Sequence, residues 1–159
     1  MKIGVYPGTF DPITNGHLDI IKRSSNLFDK LYILVATNMN KHTMFTTDER
    51  INLIKEVIKD IPNVEVTSSP SLTVDFAKQV GAAAMVRGLR MVSDFEYELQ
   101  LATLNKHLND KVETVFIMSS HEYSFLSSSS VKEMAKFSAD ISPFVPEIVA
   151  TSLKEKIKN

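Results

Sequence analysis

A segment near the N-terminus gathers residues that could hold an anion. Residues 6–17 follow a predicted strand, end where a predicted helix begins, and include Gly8, Gly16, Thr9 and His17. The two glycines permit positive φ and a close approach of a ligand to the backbone, and a helix N-terminus offers free N–H groups. A plain capped turn is the alternative interpretation. The convergence of so many donors at one strand end favours an anion-binding loop.

Three cations occupy similar positions after other predicted strands. Arg87 and Arg90 flank a glycine after the fourth strand, and Lys41 follows the second strand. A single arginine or lysine in a loop usually faces solvent, but two guanidinium groups beside a glycine suit the bidentate binding of a phosphate. In an open parallel sheet, ligands bind outside the carboxyl ends of the strands. The sequence therefore predicts a phosphate site at that edge.

Serines form a third group of candidate donors, in residues 127–129. They precede a predicted helix, so their hydroxyl and N–H groups can bind phosphate oxygens. The S-x-x-E pattern from Ser130 to Glu133 predicts a capping box at the start of that helix, and the pattern from Ser93 to Glu96 predicts another.

Short apolar runs alternate with amphipathic segments, and these elements must position the candidate residues. The pattern predicts strands at residues 2–6, 31–35, 64–66, 83–86 and 115–118, with a helical segment after each and a further helix at 146–157. Continuous apolar strands between amphipathic helices indicate a parallel sheet that is covered on both faces. We expect an α/β, Rossmann-like, doubly wound five-stranded sheet in a single domain, residues 1–159.

Composition excludes several classes of protein. The chain has 159 residues, no cysteine and a formal net charge of −1. Thiol chemistry is therefore absent, and there is no global electrostatic basis for binding nucleic acid or an anionic membrane. No apolar run approaches a membrane span, and the N-terminal strand turns too early for a signal peptide, so we expect a cytoplasmic protein.

The motifs resemble those of one enzyme family. G-T-F-D-P with T-N-G-H in residues 8–17 is similar to the [HT]-x-G-H signature of the nucleotidyltransferase superfamily. R-G-L-R at 87–90 followed by D-F-E-Y-E at 94–98, and Y-S-F-L-S-S-S at 123–129, resemble the bacterial phosphopantetheine adenylyltransferases specifically. The resemblance extends over essentially the whole chain. Rossmann G-x-G-x-x-G and Walker G-x-x-x-x-G-K-[ST] motifs do not occur.

Two positions depart from the family pattern. Leu126 stands where isoleucine is usual, and Tyr123 where many members have tryptophan. Neither change removes a donor needed for phosphate binding.

The resemblance implies the activity. Members transfer the adenylyl group of ATP to 4′-phosphopantetheine, giving dephospho-coenzyme A and pyrophosphate in the penultimate step of coenzyme A biosynthesis. The attack is in line, without a covalent intermediate, and Mg²⁺ is required. The resemblance also implies a homohexamer and feedback binding of coenzyme A.

The resemblance assigns residues to three roles. The catalytic residues are His17, as the transition-state stabiliser, Lys41 and Arg90. Phosphopantetheine is bound by Thr9, Lys41, Thr73 and Arg87. ATP is bound by Thr9, Phe10, His17, Gly88, Leu89, Arg90, Glu98, Tyr123, Ser124, Phe125, Leu126, Ser127, Ser128 and Ser129. From the residues alone, Glu98 could equally be a helix-surface carboxylate and Thr73 a helix N-cap. No protein ligand for the metal is predicted.

Two other functions remain as alternatives. One is a different nucleotidyltransferase, such as a nicotinate-mononucleotide adenylyltransferase, which shares the first motif but usually lacks the second. The other is a non-catalytic ATP sensor, which we expect to have lost His17, Lys41 or an arginine.

Overall fold

A computed structural model describes residues 1–37 and 42–159, and only the backbone of residues 92 and 93. In these ranges, five strands and six α-helices alternate along the chain. The strands are β1 (Ile3–Gly8), β2 (Lys30–Ala36), β3 (Val64–Ser69), β4 (Ala84–Leu89) and β5 (Glu113–Met118). The helices are α1 (Asn15–Ser25), α2 (Thr47–Ile58), α3 (Thr73–Gln79), α4 (Val92–Leu108), α5 (Ser128–Lys136) and α6 (Glu147–Lys158).

The strands form one parallel sheet in the order β3-β2-β1-β4-β5. The chain winds outward from β1 to β3, and then returns to the other side of β1 to place β4 and β5. This confirms the doubly wound α/β sheet predicted from the sequence. In such a sheet the order reverses between β1 and β4, and ligands bind at that point.

The strands β1 and β4 separate partway along their length. All six residues of β1 pair with β2, but only Gly4 and Val5 pair with β4. Farther along, the Pro7 carbonyl accepts a hydrogen bond from the Arg87 guanidinium at 3.3 Å. Because β1 has left β4 by this point, proline fits within it, and the strand continues to Gly8 instead of ending at residue 6 as predicted.

The two faces of the sheet support separate apolar clusters. Alternate residues of a strand point to opposite faces. Val5 and Met85 accordingly pack with Phe76 of α3 in a small cluster, whereas Tyr6 and Val86 belong to a larger cluster built with α1, α2, α5 and α6. Helices on both faces thus hold the strand ends, and the segments that follow them, in fixed positions.

One side of the sheet differs from the sequence prediction. The run at 115–118 was predicted to be a buried strand, but β5 is an edge strand in which Ile117 is buried and Met118 is exposed. Tyr97, Leu104 and Leu108 form an apolar stripe along α4, and each of them is about 60% exposed. A surface of this kind is typical of a protein–protein interface.

No described helix combines the length and the apolar character that crossing a membrane requires.

Candidate active site

A cleft of about 530 Å³ opens where β1 and β4 separate. Its walls are the ends of these strands, the first turns of α1 and α5, and one side of α4. The predicted site residues that line it are Thr9, Phe10, His17, Thr73, Arg87, Gly88, Arg90, Glu98, Tyr123, Leu126, Ser127 and Ser128. The fold therefore brings together donors from four of the five segments that follow a strand.

Four predicted ATP contacts do not line the cleft: Leu89, Ser124, Phe125 and Ser129. The Leu89 side chain is buried, the Ser124 hydroxyl donates to the carbonyl of His121, and the exposed Phe125 ring packs edge-on against Phe144. Any contact of Leu89 with a nucleotide would have to come from its backbone. Lys41, the remaining predicted site residue, lies outside the described residues.

The imidazole of His17 presents a proton to the cleft. Its Nδ1 accepts a hydrogen bond from the backbone N–H of Thr14 at 3.0 Å, in a capping box at the start of α1. An N–H group can only donate, so Nδ1 is unprotonated and the ring proton is on Nε2. Burial, with a further effect from the charge of Arg90, lowers the pKa of His17 to about 4. The ring is therefore a neutral hydrogen-bond donor at neutral pH.

The loop before His17 holds the ring in place by packing. The Phe10 ring stands edge-on to His17, with 5.0 Å between ring centroids, and edge-on to Tyr6 at 5.4 Å. Gly8 and Gly16 permit positive φ, but in this loop positive φ occurs at Phe10, at 49°. Gly8 lets the Phe10 ring pack closely against the backbone, because a Cβ at residue 8 would lie 2.9 Å from that ring.

Arg87 and Glu98 form a two-pronged ion pair on the wall of the cleft. Arg87 donates from Nε and Nη2 to the two carboxylate oxygens of Glu98, both at 2.7 Å. Burial lowers the pKa of Arg87, but the bonds to Glu98 outweigh it and the net pKa is raised. The Glu98 side chain is only 10% exposed. The alternative that Glu98 is a surface carboxylate is wrong.

Arg90 connects the end of β4 to the segment before α5. Its Nη1 donates to the carbonyl of Leu126 at 3.0 Å, and its Nε lies 3.4 Å from a carboxylate oxygen of Asp94. The guanidinium thus contacts the residue just before the serine-rich turn, and its charge acts on His17. Arg90, His17 and the serine-rich turn are three of the predicted phosphate-binding groups, and all of them line the cleft.

The serines at the start of α5 cap the helix in a different register from the one predicted. Ser127 is the N-cap and forms the capping box with Ser130, so the box predicted from Ser130 to Glu133 is wrong. The helix begins at Ser128, whose hydroxyl donates to the carbonyl of Pro12 at 2.7 Å. The first turn of α5 is thereby fixed against the β1–α1 loop and faces the cleft.

Two other cap predictions also fail. The helix α4 begins at Val92 with Met91 at the N-cap, so the box predicted from Ser93 to Glu96 is wrong. Thr73 is the first residue of α3 and Leu72 is its N-cap, without a side-chain cap. Thr73 is therefore available to the cleft.

Asp11 joins three segments of the site, and the sequence analysis did not single it out. Its buried carboxylate accepts hydrogen bonds from the backbone N–H groups of Met44 and Phe45 at 2.9 and 2.8 Å, and from Lys132 of α5 at 2.8 Å. Burial alone would raise the pKa of Asp11, but these bonds lower it. The only signal in the sequence was an aspartate within the first motif.

Arg50 is a second buried charged residue that supports the site, and no motif in the sequence points to it. It is buried on α2 and donates from Nη1 to the carbonyls of Thr9 at 2.7 Å and Ala36 at 3.0 Å. It therefore ties the end of β2 to the β1–α1 loop. In the sequence it looks like one more polar residue of an amphipathic helix.

A second cavity, of about 200 Å³, adjoins the cleft. Pro7, Thr73, Arg87 and Glu98 line both spaces. Its remaining lining is mostly apolar and comes from α3, α4 and the adjacent strands: Leu72, Val74, Met85, Leu101, Ala102, Asn105, Leu108 and Thr114. A molecule with one anionic end and a long, mostly apolar arm would fit across this boundary.

The described residues contain no group of three or more His, Asp or Glu side chains that could hold a metal ion. The two buried carboxylates beside the cleft, Asp11 and Glu98, each form an ion pair with a basic side chain.

Comparison with solved structures places the fold. The chain superposes on a Vibrio parahaemolyticus protein assigned as a nicotinate-nucleotide adenylyltransferase, with a TM-score of 0.75 and 18% identity over 99% of this chain and 95% of that one. It also superposes on a lipopolysaccharide core biosynthesis protein from Thermoplasma volcanium, with a TM-score of 0.58 and 23% identity over 76% and 98% of the two chains. At these identities the likeness concerns the fold alone.

Sequence comparison gives the family. The cytidylyltransferase-like family model matches residues 5–134, so the chain is a member of this class of nucleotidyltransferases. It is 58% identical to the phosphopantetheine adenylyltransferase of Caldanaerobacter subterraneus subsp. tengcongensis over 99% of both chains. It is 53% identical to that of Alkaliphilus metalliredigens over 98% of this chain and 99% of the other. The chain belongs to the phosphopantetheine adenylyltransferase family.

Proposed function

We propose that the chain transfers the adenylyl group of ATP to 4′-phosphopantetheine, yielding dephospho-coenzyme A and pyrophosphate. One observation carries this proposal: a cleft rich in phosphate donors shares a wall, at Arg87, with a mostly apolar cavity. The cleft suits the triphosphate of ATP. The cavity suits the pantetheine arm, because its lining combines apolar side chains for the methyl and methylene groups with Asn105 and Thr114, which can bond to amides. The high identity to the two relatives supports the same reaction.

The acceptor phosphate meets the protein at the shared wall. Arg87 binds it there, Thr9 and Lys41 orient it, and Thr73 contacts the pantetheine arm. An oxygen of this phosphate attacks the α-phosphorus of ATP and forms a P–O–P bond, while the bond to the β-phosphate breaks and pyrophosphate leaves. A phosphate monoester already carries most of its second negative charge at pH 7, since its second pKa is about 6, so no general base is needed.

His17 stabilises the transition state of this step. Its Nε2–H donates to an α-phosphate oxygen, on which charge accumulates as the phosphorus becomes five-coordinate. A neutral imidazole that is fixed by Thr14 and Phe10 needs no reorganisation to do so.

The leaving pyrophosphate is held at the other end of the cleft by Arg90 and the first turn of α5. The free N–H groups of a helix N-terminus favour anions there. The remaining proposed ATP contacts are Phe10, Gly88, Leu89, Glu98, Tyr123, Ser124, Phe125, Leu126, Ser127, Ser128 and Ser129. Bound Mg²⁺ would be held chiefly by the phosphates of ATP and would neutralise part of their charge.

The proposal is tested by measuring pyrophosphate release from ATP and Mg²⁺ with one acceptor at a time. Release with 4′-phosphopantetheine, and none with nicotinate mononucleotide, is the expected result. Release only with nicotinate mononucleotide would assign the chain to the alternative enzyme. ATP binding without release with either acceptor would instead identify a nucleotide sensor.

We also propose a homohexamer, in which neighbouring subunits cover the exposed apolar stripe of α4.

We further propose feedback binding of coenzyme A. Coenzyme A shares both its pantetheine arm and its adenylyl group with the product, so it can occupy the cavity and the cleft together. Because both substrates are metabolites of the cytoplasm, we place the enzyme there.

A further inference from the structure

Arg50 is a buried cation behind the wall of the cleft. It lies near the start of α2, is only 3% exposed, and is not among the residues that line the cleft. Within the described residues, no carboxylate lies at ion-pair distance from its guanidinium, although the charge of Asp11 acts on it. A buried charge without a direct partner is costly. Ion pairing therefore does not explain the burial of this residue.

The guanidinium of Arg50 donates mainly to backbone at the ends of two strands. Its Nη1 donates to the carbonyl of Thr9 at 2.7 Å and to that of Ala36 at 3.0 Å, and its Nη2 donates to the Thr47 hydroxyl at 3.1 Å. Its Nε finds no partner in the part of the chain that the structure describes. Because hydrogen bonds from a charged donor are strong, the bond to Thr9 fixes the direction of that carbonyl.

The bond to the Thr9 carbonyl also sets the direction of the next N–H. In a trans peptide, the C=O and N–H bonds point in opposite directions. The Thr9–Phe10 peptide is trans, so the Phe10 N–H points away from Arg50. Residues 1–37 and 42–159 provide no acceptor for this N–H, and both Thr9 and Phe10 line the cleft. A ligand oxygen in the cleft can therefore accept from it.

The backbone conformation of Phe10 depends on its surroundings. Its φ of 49° lies in the left-handed region, which residues other than glycine rarely adopt. Such conformations persist where neighbouring groups hold them, and they are frequent at functional sites. At Phe10 the ring packs against Tyr6 and His17, and Arg50 holds the preceding carbonyl.

We propose that Arg50 is a positioning residue, which holds the Thr9–Phe10 peptide so that the Phe10 N–H donates to a phosphate oxygen of ATP. This inference rests on the proposed function, because it explains how the protein presents one donor to the nucleotide of that reaction. A donor that is fixed before the substrate binds needs no reorganisation in the transition state. The charge of Arg50 also polarises the peptide, which makes the Phe10 N–H a stronger donor.

An isotope label can observe this single peptide. A threonine followed by a phenylalanine occurs only at residues 9 and 10. Protein that carries carbonyl-¹³C threonine and ¹⁵N phenylalanine therefore gives one coupled amide signal in an NMR spectrum. In the wild type, binding of α,β-methylene-ATP with Mg²⁺ should shift this signal, because the Phe10 N–H gains an acceptor.

The first comparison is between Arg50→Met and Lys55→Met, which removes the same charge from an exposed position of α2. In R50M the shift on binding should be lost, while the Kd of the analogue should stay within about fivefold of the wild-type value. With both substrates, kcat should fall by about tenfold or more, because a preorganised donor has lost its direction. K55M should match the wild type in shift and kcat, and circular dichroism checks the folding of each variant.

A second variant separates direction from charge. Arg50→Lys keeps the positive charge and should fold, but an ammonium group lacks the fixed planar fork of a guanidinium. The shift on binding should therefore be smaller than in the wild type, and kcat should fall by about threefold or more. If R50M does not fold, R50K decides the inference.

Three results would overturn the inference. One is a Thr9–Phe10 signal that does not shift in the wild type when the analogue is bound. Another is the wild-type shift in R50M or R50K, with or without a loss of kcat, because a general structural effect would lower kcat alone. The third is the same loss in K55M. If the wild type releases no pyrophosphate with 4′-phosphopantetheine, the proposed function fails, whereas the labelled signal still tests Arg50 through binding of the analogue.

Discussion

At the scale of single residues, His17 combines a fixed tautomer with a low pKa. The Thr14 N–H occupies Nδ1, so the proton on Nε2 faces the cleft. A donor of this kind is most useful where charge develops, which is in the transition state.

His17→Ala should therefore lower kcat by about 10² to 10³, the usual effect of losing one preorganised donor to a developing oxyanion. Binding of ATP, measured by calorimetry, should change by less than about fivefold, because the bond is weak in the ground state. His107→Ala, on the exposed face of α4, is the control and should match the wild type. A variant with normal kcat and a raised KM for ATP would show that His17 serves binding instead.

The same residue makes stability depend on pH. An exposed imidazole titrates near 6.5, and burial followed by the charge of Arg90 lowers the pKa of folded His17 to about 4. Between these values the unfolded chain binds a proton that the folded protein excludes. As pH falls from 6.5 to 4, this group should therefore lower the free energy of unfolding by up to about 3 kcal/mol, and below pH 4 the loss should stay constant.

Urea unfolding of the wild type and of His17→Gln between pH 4 and pH 8 measures this effect. Above pH 6.5 the two curves should run parallel, and below it the wild type should lose stability faster. Curves that stay parallel down to pH 4 would contradict the lowered pKa of His17.

At the scale of elements, buried charged residues hold the loops of the site together. Asp11 joins the β1–α1 loop to the segment before α2 and to α5, and Arg50 joins the same loop to the end of β2. The loops are thus fixed by side chains as well as by the sheet. The geometry of His17 and the serines depends on these bonds.

Asp11→Asn should lower the free energy of unfolding by about 3 kcal/mol, because Lys132 loses its partner and one backbone N–H loses its acceptor. Asp60→Asn, an exposed aspartate that follows α2, should change it by less than about 0.5 kcal/mol. Chemical denaturation of both variants at pH 7 is the measurement. Equal, small changes would show that Asp11 is not a structural link.

The sequence predicted the strands and helices better than the side-chain bonds that join one element to another. Apolar periodicity located the strands and helices of the described residues, although it did not show that the apolar stripe of α4 is exposed. The bonds of Asp11 to Lys132 and of Arg87 to Glu98 join different elements, and no local pattern encodes them. The two S-x-x-E patterns also failed to locate the caps, because both lie inside their helices: the N-cap is Met91 in α4 and Ser127 in α5.

At the scale of the whole molecule, a net charge of −1 conceals a local concentration of cations. Arg87 and Arg90 of β4 and its following loop stand at one sheet edge with the helix N-terminus of α5. Two residues of the exposed stripe of α4 border these spaces, because Tyr97 lines the cleft and Leu108 lines the mostly apolar cavity. Substrate binding and subunit association therefore involve neighbouring residues of one helix.

Leu104→Glu should break the proposed hexamer into smaller species, because it places a charge in the apolar stripe of α4. Leu27→Glu carries the same change at an exposed apolar residue between α1 and β2, and should leave the assembly intact. Multi-angle light scattering after size exclusion gives the mass of each. A hexamer that survives Leu104→Glu would place the interface elsewhere.

The most direct test of the proposed reaction follows the adenylyl group itself. ATP labelled at the α-phosphorus is incubated with Mg²⁺, the protein and 4′-phosphopantetheine, and the labelled product and pyrophosphate are quantified. The account predicts label in dephospho-coenzyme A with one pyrophosphate for each adenylyl group transferred. Label that remains in ATP, or that moves only when nicotinate mononucleotide is the acceptor, would contradict it.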